Sequence, residues 1–116
     1  MFKYLPVDQL ASAVTSHGSG SKKVLYHGGG EPVKLKQIAY GTLVPGETIP
    51  DHLHPDMDEV YYFQSGEGIM TVAQTTYQLL PEVFVYVPAG MVHGISANSA
   101  ALEFFYFGLE NDTSSD

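Results

Sequence analysis

From Pro32 onward, short runs rich in Val, Ile, Tyr, Phe and Thr alternate with turn residues, and this punctuation constrains the fold more than any other feature. Pro45-Gly46, Ser65-Gly66, Gln74-Thr75 and Pro88-Ala89-Gly90 break up the apolar runs. β-branched and aromatic residues fit a pleated surface, whereas Gly, Pro and small polar residues fit tight turns. The pattern predicts strands over Val33–Val44, Val60–Gln64, Gly68–Ala73, Thr76–Leu80, Val83–Val87 and Leu102–Leu109, with a hairpin turn at Gln74-Thr75. Leu102–Leu109 carries aromatics on both faces, which predicts a strand covered on both sides. Short strands closed by turn signals argue for an all-β sandwich or barrel. No useful helical period follows residue 15.

The first 30 or so residues have a different texture and read as an arm. Asp8 is positioned to cap one short helical turn over Gln9–Val14. Lys22–Tyr26 reads as a short strand between two glycine clusters, His17–Ser21 and His27–Gly30. The predicted organisation is an arm over residues 1–31, a barrel over 32–110 and a frayed, acidic tail over 111–116.

At 116 residues the chain is long enough for one domain. Thirteen acidic against five basic residues give a formal charge of −8. That balance argues against nucleic acid and anionic membranes as partners, because phosphate binding needs a basic patch. The absence of cysteine excludes a disulfide framework, a thiolate metal site and a cysteine nucleophile. Pro6, Asp8 and Gln9 interrupt the N-terminal apolar stretch, so it does not read as a signal peptide. No apolar run approaches the roughly 18 residues of a spanning helix. The expected location is cytoplasmic.

Three of the five histidines lie in two windows, residues 45–68 and 85–98. His52 and His54 are two residues apart, so on an extended chain both imidazoles point to one face. Pro55 permits a turn, and Glu59 can return a carboxylate to the same face. His93 follows the Pro88-Ala89-Gly90 turn much later. Three imidazoles and one carboxylate suit a divalent transition metal such as Fe, Mn, Ni or Zn, with chemistry at the unused coordination positions.

The first window resembles the first motif of the cupin family, G-x5-H-x-H-x4-E-x6-G, at Gly46, His52, His54, Glu59 and Gly66. The second resembles the family's G-x5-P-x-G-x2-H-x3-N at Pro88, Gly90 and His93. It departs at Glu82, where the motif has glycine, and at Ala97, where it has asparagine. The short span between Gly66 and Glu82 is similar to that of small single-domain microbial cupins. The resemblance covers residues 33–109 and implies a cupin double-stranded β-helix, or jelly-roll barrel, with His52, His54, Glu59 and His93 directed inward onto a metal.

The other candidates have plainer readings. His17 and His27 read as solvated loop histidines. Asp51, Asp56 and Asp58 read as turn residues and solvated charges, with one of them a possible acceptor that fixes an imidazole tautomer. Tyr61, Phe63, Tyr86, Phe105 and Phe107 read as packing residues. Tyr61 and Phe63 share the face of Glu59, and Tyr61 is the first candidate for a hydrogen-bonding or proton-handling role beside Glu59. A divalent ion with one carboxylate ligand has a net charge of about +1 and favours an anionic or chelating ligand. The expected function is therefore metal-dependent action on a small anionic or oxygen-rich substrate, of dioxygenase, isomerase or lyase type. The alternatives are a non-catalytic small-molecule-binding module and, more weakly, a structural ion. A homodimer is expected, with the arm or a strand crossing to the other subunit.

Overall fold

The computed structural model describes residues 2–14, 21–26 and 33–111. Two long strands dominate it, β6 (Met57–Val72) and β9 (His93–Asn111). They pair antiparallel from Met57↔Glu110 to Val72↔His93, with register shifts between Phe63 and Gly68. The shifts divide each strand in two. The first half of β6 faces the second half of β9, and the remaining halves face each other.

Shorter strands extend each half. β8 (Val83–Val87) pairs with the first half of β6, and β4 (Val33–Leu43) pairs with the second half of β9. β7 (Thr75–Leu79) pairs with the second half of β6, and β5 (Thr48–His52) pairs with the first half of β9. The same two strands thus supply the centre of both layers of a β-sandwich barrel.

Between the layers lies a core that includes Phe63, Met70, Leu79, Val85, Ile95, Leu102 and Phe104. Truncating a buried Phe to Ala costs roughly 3–5 kcal/mol, so Phe63 and Phe104, at most 2% exposed, tie β6 to β9 strongly. At the corner, Gly66 has φ +95°, and a Cβ there would lie 1.8 Å from the Ala101 carbonyl oxygen. Only glycine permits that approach.

Several expectations are extended or corrected. Val60–Gln64 and the expected Gly68–Ala73 fall in one continuous strand that ends at Val72, because Ser65-Gly66 bends β6 instead of ending it. Leu102–Leu109 is likewise the second half of β9. The hairpin turn falls on Ala73 and Gln74, whose positive φ values of 49° and 71° suit a two-residue turn matched to the right-handed twist of the strands. Thr75 already belongs to β7.

Asp8 does not cap a turn over Gln9–Val14. A 3-10 helix spans Val7–Gln9 instead, and Ala13–Val14 (β2) pairs with Ser21–Lys22 (β3). The expected strand over Lys22–Tyr26 is confined to β3. The arm contributes Lys3–Pro6 (β1) to the main sheet beside β8, and Tyr26 stacks on Tyr86 with ring centroids 4.8 Å apart. His17, His27 and the tail beyond residue 111 lie outside the described residues. Phe105 is 41% exposed, so the outer face of β9 is not covered as expected. The inward aromatics of this strand are Phe104 and Tyr106, which the sequence reading did not single out. Among the described residues, no helix is long and apolar enough to cross a membrane.

Glu82, which replaces the second motif's opening glycine, adopts φ 67°. Its N–H donates to the Phe63 carbonyl at 2.7 Å, and its own carbonyl accepts from Val7 N–H at 2.8 Å. These bonds hold a non-glycine residue in the left-handed region at a cost of roughly 1–2 kcal/mol. Glycine would remove that cost, offset by roughly 0.5–1 kcal/mol of unfolded-state entropy. Glu82→Gly should therefore raise the melting temperature by a few degrees in a thermal scan. An unchanged or lower value would show that Glu82 is not strained.

Candidate metal centre

The site forms where the end of β5, the start of β6 and the start of β9 converge. His52 is the last residue of β5 and pairs in register with His93, the first of β9. His54 lies just beyond β5, on the approach to β6. Glu59 enters from β6, with the buried Tyr61 and Phe63 following on its face. The expected face-sharing of these three residues is what the strand presents.

One ligating atom from each of His52, His54, Glu59 and His93 lies within 4.8 Å of all the others. His93 Nε2 is 3.0 Å from Glu59 Oε1, and His54 Nε2 is 3.5 Å from Glu59 Oε2. The ring centroids of His52 and His93 are 4.4 Å apart. Glu59 and His93 are buried, whereas His52 and His54 are half-buried, so the cluster opens on the histidine pair.

Backbone carbonyls fix two of the rings. His52 Nδ1 lies 2.8 Å from the Pro50 carbonyl, and His93 Nδ1 lies 2.8 Å from the Met91 carbonyl. A carbonyl only accepts, so in both rings Nδ1 carries the proton and a neutral imidazole presents the Nε2 lone pair to the cluster. At His93 that lone pair faces Glu59 Oε1, which is also an acceptor. Such an arrangement needs a cation between them, either a proton or a metal ion. The donor set therefore fits a divalent metal.

The same contacts govern titration. Burial acts to raise the Glu59 carboxyl, but the close His93 ring, the Tyr61 hydroxyl and the nearby His54 imidazole outweigh it and hold Glu59 below its ordinary value. Burial acts to lower the His93 imidazole, but Glu59, the Met91 carbonyl and Asp51 outweigh it and raise it. Burial and the Glu59 carboxylate both push the Tyr61 phenol up. Tyr61 O–H donates to Glu59 Oε1 at 2.6 Å.

A cavity of about 340 Å³ adjoins the cluster, lined by His52, Glu59 and Tyr61 together with Gly41, Thr42, Leu43, Ile49, Phe104 and Tyr106. Gly41 makes room for this wall, since a Cβ there would lie 2.7 Å from the Phe104 ring. Thr42 and Tyr106 escaped the sequence reading. The inward parity of β9 was a usable signal for Tyr106, but nothing local marked Thr42.

The three flanking aspartates differ. Asp56 is exposed, and Asp51 is exposed and accepts a bond from the Thr71 hydroxyl at 2.9 Å. Asp58 is half-buried, and both its oxygens accept hydrogen bonds, from Tyr86 O–H at 2.6 Å and Ala89 N–H at 2.8 Å. It is not the solvated charge expected, and its bonds reach no imidazole directly.

Comparison with curated proteins gives no sequence match. Solved structures of similar fold include a cupin protein from Bacteroides fragilis, 22% identical over 68% of each chain, with a TM-score of 0.58. A predicted oxalate decarboxylase from Thermotoga maritima is 18% identical over 90% of this chain and 96% of that one, with a TM-score of 0.64. Salicylate 1,2-dioxygenase from Pseudoaminobacter salicylatoxidans is 17% identical over 61% of this chain but 20% of its own length, with a TM-score of 0.56. These likenesses concern the fold. The family model described as "Cupin domain" matches residues 39–107, more than half of the chain, and the chain belongs to the cupin family.

Proposed function

We propose that the protein holds one divalent first-row metal ion through His52, His54, Glu59 and His93 and acts on a small anionic or oxygen-rich molecule bound in the adjoining cavity. The observation that carries this reading is the opposition of His93 Nε2 and Glu59 Oε1, two acceptors 3.0 Å apart once Nδ1 has donated to Met91. A bound divalent ion would supply Lewis acidity toward an oxygen-bearing ligand.

The cavity limits what can bind. Its volume of about 340 Å³ is at the small end of ligand sites. No Lys or Arg lines it, so the net charge of about +1 on a divalent ion with one carboxylate ligand would be what attracts an anion. Phe104, Leu43 and Ile49 would meet the apolar part of such a molecule, while Thr42 and Tyr106 offer hydroxyls. Reactions of dioxygenase, isomerase or lyase type remain within the proposal, because fold does not choose among them. A non-catalytic binding module is the second reading. It is favoured by the absence, among the described residues lining the cavity, of any ionisable side chain other than the candidate ligands and the tyrosines. Consumption of a candidate carboxylate by metal-loaded protein, against saturable binding without consumption, separates the two.

Elemental analysis of protein made without a histidine tag tests the metal itself. The wild type should carry close to one ion per chain after reconstitution, and His54→Ala less than about a tenth of that when measured at the same free metal concentration. Glu59→Gln should also lose metal yet keep its fold. Tyr61 and His93 both contact Oε1, so an NH2 in that position can donate to His93 Nε2 and to the Tyr61 oxygen, and a buried charge is removed. A wild type that stays below a tenth of an ion per chain would sink the reading.

Within this proposal Glu59 is both a ligand and the group able to accept a proton from the bound molecule. Tyr61 holds the Glu59 carboxylate through its 2.6 Å bond. Tyr61→Phe should keep the metal stoichiometry but weaken metal affinity roughly tenfold, in line with the loss of an outer hydrogen bond. Unchanged metal affinity, ligand binding and turnover would remove Tyr61 from the site.

We also propose that the protein pairs with a second copy along β4. This strand ends the sheet path and exposes Leu35, Ile38 and Tyr40, with Phe105 beside them on β9. An edge strand with exposed apolar side chains suits antiparallel, two-fold pairing with a second copy of itself. Light scattering at tens of micromolar should give twice the 12.6 kDa of one chain, and Ile38→Glu should reduce it to a monomer. A monomeric wild type would contradict the proposal.

A further inference from the structure

Asp58 precedes Glu59 on β6 and points to the other side of the strand, toward β8 and the Pro88–Met91 turn. Its Oδ2 accepts from Tyr86 O–H at 2.6 Å, and its Oδ1 accepts from Ala89 N–H at 2.8 Å. Ala89 lies inside the turn that leads into His93. The next amide, Gly90 N–H, donates to the His54 carbonyl at 2.8 Å. Met91 N–H closes the turn on the Pro88 carbonyl at 3.3 Å. The Met91 carbonyl then accepts from His93 Nδ1 at 2.8 Å. One turn thus touches the main chain of His54 and the ring of His93. It is gripped from the strand that carries Glu59.

We propose that Asp58 is a positioning residue for the metal centre, acting through the Pro88–Met91 turn on both His54 and His93. The inference rests on the metal reading above. If Asp58 let go of Ala89 N–H, the turn would lose its only side-chain acceptor among the described hydrogen bonds. The Met91 carbonyl that aims His93 Nε2 at the cluster would then shift with it. Groups that orient ligands from outside the coordination sphere typically change metal affinity by about 10–100-fold when removed. Tyr86 extends the chain of contacts, since it bonds Asp58 and carries the stacked Tyr26 of the arm.

Cobalt(II) is a suitable probe, because its visible spectrum reports ligand geometry and its titration reports affinity. Asp58→Ala should weaken cobalt binding tenfold or more and alter the spectrum. Asp58→Asn should stay within about threefold of the wild type. Its oxygen can accept from Ala89 N–H, and its NH2 can donate to the Tyr86 oxygen. Tyr86→Phe leaves the Ala89 bond in place and should fall between them, which keeps the test open if Asp58→Ala does not fold. Leu79→Val, in the buried part of β7 away from the turn, should lower the melting temperature without changing the cobalt spectrum. Asp58→Ala binding cobalt like the wild type with an unchanged spectrum would overturn the inference while leaving the metal reading intact. So would affinity losses that merely follow thermal stability across all four variants. A wild type that takes up no cobalt would overturn the metal reading and this inference together.

Discussion

The pairing of β6 with β9 is the constraint on which the other elements depend. These strands are long enough to bend once and serve both layers, and every other strand of the main sheet pairs with one of them except β1, which pairs with β8. The bend needs Gly66, since a Cβ there would meet the Ala101 carbonyl. It also needs Phe63 and Phe104 packed together on its inner side, with ring centroids 5.1 Å apart. Once the bend is made, the start of β6 and the start of β9 come together at one end of the barrel. That is where Glu59 and His93 meet.

The site continues the same logic. Its four candidate ligands come from the end of β5, the segment after it, and the starts of two long strands, so no local segment contains it. Backbone carbonyls hold two rings in one tautomer, and Tyr61 holds the carboxylate. The polar atoms are therefore oriented by the scaffold. Among the described residues, no buried side-chain nitrogen or oxygen lacks a hydrogen-bond partner.

The four clustered residues were legible in the sequence because strand period and motif spacing both report which side chains share a face. Glu59, Tyr61 and Phe63 follow that rule directly. Strand ends were less legible, since Ser65-Gly66 carries the same chemistry whether it ends a strand or bends one. Asp58 was misread for a related reason: its partners, Tyr86 and Ala89, lie about thirty residues away, and only tertiary pairing brings them near. Glu82 shows the converse, a motif departure that leaves the backbone path intact because the bonds from β6 and the arm impose it. On β9, packing was expected on both faces, but Phe105 is exposed and the inward aromatics are Phe104 and Tyr106.

The β6–β9 ladder also bears on how the chain folds. Its pairs are separated in sequence by 21 residues at Val72↔His93 and by 53 at Met57↔Glu110. Closing such loops costs entropy before the contacts repay it, and proteins dominated by non-local pairing fold in milliseconds to seconds. The turn between β6 and β7 lets that hairpin form early, and β8 can add next through short loops. The cluster draws on β5, β6 and β9, so Glu59 can meet His52 and His93 only after β9 has joined β6 in the barrel. The candidate metal centre is thus a late product of folding, so an ion captured there would chiefly slow unfolding, with little effect on the rate of folding.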